Sequence, residues 1–120
     1  MWRRIVFNIC VSNVDDHLRN HGFLLSEGGW ELSPAYDLNP VETGTGLKLN
    51  VSEDDNALDL ELAMDVHEYF RLSYDEAKRI ISKVQSVVRN WRQKAGQLKI
   101  PKTGQELKQM AFSQAERKLF

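Results

Sequence analysis

Cysteine is almost absent. Cys10 stands alone, so no intrachain disulfide and no multi-cysteine zinc site can form, a usage that fits a reducing cytoplasm. Proline is sparse too: Pro34, Pro40 and Pro101 are scattered and build no proline-rich linker, and no repeat or low-complexity tract is visible. No apolar run approaches the roughly 20 residues that would span a bilayer. The longest uncharged stretch, Ile5 to Val14, follows Arg3 and Arg4 like a secretory leader. It is interrupted by Asn8, Ser12 and Asn13, and Asp15-Asp16-His17 follows where a cleavage site would lie. Excess charge of one sign is also missing. Sixteen Lys and Arg against 17 Asp and Glu leave a net charge of −1, which argues against a generally basic nucleic-acid binder.

What is present is an ordinary globular balance, 42% hydrophobic and 28% charged over 120 residues, about one domain. Trp2, Ile5, Val6, Ile9 and Cys10 recur at helical spacing and predict a helix over 2–12. Because the chain opens inside this apolar segment, a fragment of a longer protein is expected. Phe23–Leu25 and Trp30–Leu32 flank Glu27-Gly28-Gly29 and read as a short hairpin, followed by loop through Gly46. The region 56–120 reads as helical. Leu58, Leu60, Leu62, Ala63, Val66 and Tyr69 stripe a helix over 57–70. Ser73-Tyr74-Asp75-Glu76 is a capping box opening a helix with Ala77, Ile80, Ile81, Val84, Val87, Val88 and Trp91 on one face. Thr103-Gly104-Gln105-Glu106 repeats the box before a last amphipathic helix. Trp30 and Trp91 are expected in the core.

Charge divides along this half. Glu53 to Glu68 holds seven acids and no Lys or Arg, whereas Lys78 to Lys102 is basic. Two solvated helix faces explain this most simply; a basic face on nucleic-acid phosphate is the sharper alternative.

The densest set of reactive groups is Asn13-Val14-Asp15-Asp16-His17-Leu18-Arg19-Asn20-His21, on a loop between a buried helix and a hairpin. The hairpin returns the chain so that Asp37, in Ser33-Pro34-Ala35-Tyr36-Asp37-Leu38-Asn39-Pro40, falls beside the end of that loop. Two carboxylates and a carboxamide meeting there could hold a hard cation through oxygen and leave one carboxylate to orient a hydroxyl. A solvated loop and plain turn chemistry explain each half separately, but not both in order with a hairpin between. A transition-metal cluster of His17 and His21 with Asp15 or Asp16 ranks lower, since an i, i+4 pair does not converge on loop and strand.

Asp15-x-x-x-x-Asn20, a hairpin, then Asp37 is also the order of parts in protein-kinase catalytic lobes. "FNICVSNVDDHLRNHGFLL" followed by "WELSPAYDLNP" closely resembles the C-terminal part of HipA-like bacterial serine/threonine kinases, the toxins of toxin–antitoxin modules. The likeness is dense over Val6 to Pro40 and weaker beyond. It implies a mainly α fold, a kinase C-lobe-like helical subdomain whose small β-hairpin carries the catalytic and metal-binding loops. Residues 1–120 would form one such domain, with 1–50 the catalytic-loop and metal-loop segment and 56–120 the helical segment. By the same resemblance Asp15 accepts or orients the substrate hydroxyl proton. His17 and Arg19 share its motif, Arg19 supporting phosphate charge, and Asn20 and Asp37 hold Mg2+ against ATP. Asp16 is assigned a structural role. Asp37 is followed by Leu38-Asn39 instead of Phe-Gly and no His-Arg precedes Asp15, departures that HipA-like proteins share.

The implied partners are a protein with a Ser or Thr hydroxyl as substrate and a small helix-turn-helix antitoxin of the HipB type. Operator DNA would be reached through that complex, with Lys78, Lys83 and Arg89 as candidate phosphate contacts; no membrane and a cytoplasmic location are expected. No glycine-rich loop followed by a Lys-bearing strand occurs in these residues, so the chain alone is expected to be inactive. The competing reading is a non-catalytic HipA-like remnant that binds antitoxin or dimerises.

Overall fold

A computed structural model describes residues 1–120. Helix α1 (Trp2–Val11) is the axis of the molecule, and its apolar stripe is buried almost completely: Trp2, Val6, Ile9, Cys10 and Val11. Around it pack α2 (Leu60–Asp65), α3 (Tyr74–Val88) and the short C-terminal α6 (Ser113–Glu116). Leu60, Ala63, Ala77, Ile81 and Ala115 fill the space between them. Side chains such as Ile9, Leu60 and Ile81 each contribute about 1.5–3 kcal/mol by leaving water. The Trp2 indole N–H donates to the Ala63 carbonyl at 2.9 Å, so the largest core side chain leaves no polar atom unpaired. No helix is long and apolar enough to cross a membrane.

The predicted first helix and hairpin are both present. Strands β1 (Phe23–Ser26) and β2 (Gly29–Leu32) pair antiparallel, Phe23 opposite Leu32 and Leu25 opposite Trp30, and Gly29 supplies the positive φ (108°) that the tight turn requires. The Ser73 capping box is formed in full, and the fold is mainly helical with this one small sheet.

Four expectations need correction. The helix over 57–70 is broken: Asp59 caps α2, which ends at Val66, and a separate 3-10 turn follows over His67–Phe70. The Ala77–Trp91 stripe belongs to two helices. The chain turns at Arg89–Asn90, and Trp91 opens α4 (Trp91–Gln97) and stacks on Phe112 with ring centroids 4.4 Å apart, leaving Val87 58% exposed. At Thr103 the box does not form, because Pro101, with its ring-fixed φ near −58°, takes the N-cap position. Helix α5 (Lys102–Lys108) therefore starts one residue before Thr103. Finally, Trp30 is not core; the hairpin has no layer packed on it, and this ring is 72% exposed.

Asp59 and Glu61 of the acidic run both pair with Arg117 from the C-terminal segment. Lys78 lies over the Phe120 ring and the Arg89 Nε donates to the Ala115 carbonyl, while Lys83 stays exposed.

Candidate functional site

Helix α1 ends in a left-handed residue, Ser12 (φ 54°), whose Oγ donates to the Ala111 carbonyl. This stop turns the chain sharply into the loop that starts at Asn13. The loop is pinned from three sides. Val41 N–H donates to the Ser12 carbonyl, Lys48 N–H to the Val14 carbonyl, and a 3-10 turn over Leu18–Asn20 closes it. Gly44 packs so closely on Val14 that any Cβ there would collide with the Val14 side chain.

The two adjacent aspartates of this loop have opposite surroundings. Asp15 is exposed, and its carboxylate has no hydrogen-bond partner in the protein. Asp16 is largely covered and accepts from Asn8 Nδ2 at 2.8 Å, with His21 Nε2 3.0 Å from the same oxygen. His21 thus anchors Asp16 in addition to leading into the hairpin. His17 and His21 each keep a buried Nδ1 without a partner, and no cluster of three His, Cys or acidic side chains suited to a metal occurs. The ranked-down transition-metal reading has no geometry behind it.

At the other end, buried Asn20 donates from Nδ2 to Asp37 Oδ2 at 2.8 Å, across 17 positions of sequence. Asp37 sits in the left-handed region (φ 55°), and Asn39 Nδ2 donates to its other oxygen at 2.9 Å. The hairpin makes this meeting possible: Ser33 N–H bonds the Gly22 carbonyl at 2.8 Å, extending the pairing past β2, and the Arg4 guanidinium bonds the Ser33 carbonyl. Tyr36 Oη donates to the Arg19 carbonyl at 2.8 Å, which ties the second loop to the first while leaving the Arg19 side chain exposed. Asn20 Oδ1 is buried with no partner. One carboxylate beside a carboxamide with an unused carbonyl oxygen is an oxygen-only donor set of the kind a hard divalent cation takes.

Sequence reasoning placed Asn20 beside Asp37 and missed the amides behind them. Asn8 and Asn13 are 3% and 1% exposed. A signal existed: Asn8 interrupts the apolar run beside Ile9, and a buried carboxamide must find partners.

A family model described as the HipA-like C-terminal domain matches residues 1–91. No curated protein and no solved structure matches the chain. The match takes in α1, both loops, the hairpin, α2 and α3, which is most of the 120 residues. The chain belongs to the HipA-like C-terminal domain family.

Proposed function

We propose that this chain supplies the proton-accepting and metal-holding residues of a HipA-like serine/threonine protein kinase, which transfers the γ-phosphoryl of ATP to a protein hydroxyl. The observation that carries the reading is the 2.8 Å contact of Asn20 with Asp37, five residues after an exposed and unpartnered Asp15. A free carboxylate at Asp15 is suited to orient the substrate hydroxyl and accept its proton. Asn20 and Asp37 would hold Mg2+, which when bound neutralises phosphate charge. Arg19 offers an exposed cation on the same loop, and His17 lies beside Asp16 in the same motif.

These residues include no glycine-rich loop with a strand lysine, so grip on the nucleotide would come from elsewhere in a complete kinase. The toxin role and the helix-turn-helix antitoxin as partner follow from the family resemblance. If operator DNA is touched through that complex, Lys83 is the most available of the three candidate cations. Lys78 and Arg89 are engaged with Phe120 and Ala115.

The test is phosphoryl transfer by a kinase-complete protein carrying this segment. Asp15→Asn should lower the rate by about 10²–10⁴, the range of a lost general base. Asp37→Asn should chiefly weaken Mg2+-dependent nucleotide binding. A rate for Asp15→Asn within a few fold of the parent, about 1 kcal/mol in barrier, contradicts the role and favours the remnant reading.

A further inference from the structure

One side chain touches both halves of the site. Asn13, 1% exposed, donates from Nδ2 to Asn8 Oδ1 at 3.0 Å and accepts at Oδ1 from the Asn39 backbone N–H at 3.2 Å. On one side Asn8 passes the connection to Asp16, the neighbour of Asp15, at 2.8 Å. On the other, Asn39 Nδ2 holds Asp37 at 2.9 Å, and Asp37 is met by Asn20 at 2.8 Å. The result is one continuous path, Asp16–Asn8–Asn13–Asn39–Asp37–Asn20. Asn13 joins the Asn8–Asp16 end of this path to the Asn39–Asp37 end. Both ends of its amide are used, so a carboxylate would lack the donor that Asn8 needs and an alkyl group would lack both. Burial matters as well: an unpaired amide in the interior loses its water without replacement.

We infer that Asn13 is a positioning residue that sets the register of the Asp37 loop against the Asp15 loop. It does so without touching substrate or cation. The expected effect on a cation rests on the kinase reading given above; the mechanical coupling of the loops does not. Partners bonded directly to metal ligands are typically worth about 10–100-fold in metal affinity. Asn39 is that partner of Asp37, and Asn13 holds Asn39 by its backbone N–H, so the low end of that range is expected.

The experiment uses the 120-residue chain, 15N-labelled, with two readouts for each variant. The first is solvent exchange of the Asn20 side-chain NH2, which reports its bond to Asp37 with no metal present. The second is the Mn2+ concentration that broadens the Asn20 and Asp37 signals. For Asn13→Ala, the amides of α3 should stay protected while Asn20 NH2 exchange speeds up and the Mn2+ requirement rises about tenfold or more. A folded Asn13→Ala with both readouts within twofold of the parent overturns the inference. If that variant does not fold, Asn39→Pro, which removes the backbone N–H that Asn13 accepts, is compared with Asn39→Ala, which loses only the side-chain bond to Asp37. Asn20 exchange no faster in Asn39→Pro than in Asn39→Ala also overturns the inference. Absence of Mn2+ broadening in the parent chain would count against the kinase reading alone, and Asn20 exchange would still decide the role of Asn13.

Discussion

Asp15 and Asp16 show how little residue type says about role. They are neighbours with the same side chain, yet Asp16 is tied to Asn8 and His21 while Asp15 faces solvent unpaired. A structural Asp16 was readable in advance only because the kinase spacing counts from Asp15 to Asn20. Cys10 is the converse case, a potentially reactive group disarmed by its surroundings. Burial pushes its thiol up to about 12, with nearby Arg89 partly offsetting this. Native protein at pH 8 should resist iodoacetamide for hours, and urea-unfolded protein should react at once; rapid native alkylation would contradict the burial. The linkage has a definite sign. The folded thiol holds its proton more tightly than the unfolded one, whose ordinary value is 9.0. Its contribution is therefore complete below that value and is lost as pH rises from 9 toward 12. Denaturant midpoints over that window should fall less steeply in Cys10→Ala.

Among the elements, those fixed by local chemistry were the legible ones. The Ser73 box is written in four residues, and both of its reciprocal bonds are present, Ser73 N–H to Glu76 at 2.9 Å and Glu76 N–H to Ser73 Oγ at 3.3 Å. Ser73→Ala should lower stability by about 0.5–2 kcal/mol at neutral pH, read from thermal or denaturant unfolding. The Ser73 backbone N–H, then its hydroxyl, hold the Glu76 carboxyl below its usual range. That contribution is present above the ordinary glutamate value of 4.5 and lost as pH falls below it, so the gap between parent and Ser73→Ala should narrow at pH 3. An equal gap at both pH values would remove Glu76 from the cap. The same four-residue pattern at Thr103 fails because Pro101 captures the helix start, a competition that the motif by itself does not reveal. Helix breaks at Val66 and at Arg89–Asn90 were equally hidden, since no glycine or proline marks them and tertiary packing sets them.

For the molecule as a whole, α1 both carries the core and launches the site. Its apolar stripe anchors in α2, α3 and α6, and Asn8, on the same helix, begins the polar path into the loops. The order Asp15, Asn20, hairpin, Asp37 was legible because strand pairing dictates where the chain returns. The amides of Asn8 and Asn13 were not, since their partners lie 5 to 26 residues away and only the folded chain sets them together. The hairpin's exposed Trp30 escaped for a related reason: an apolar residue in a strand reads as core until the layer count is known. The most direct test of the central claim, that Asn20 and Asp37 form a cation site separate in role from Asp15, is Mn2+ titration of the 120-residue chain followed by site-resolved NMR broadening. Broadening should centre on Asn20 and Asp37, vanish in Asp37→Asn and persist in Asp15→Asn. Broadening centred on the acidic run from Glu53 to Glu68, or unchanged by Asp37→Asn, would contradict it.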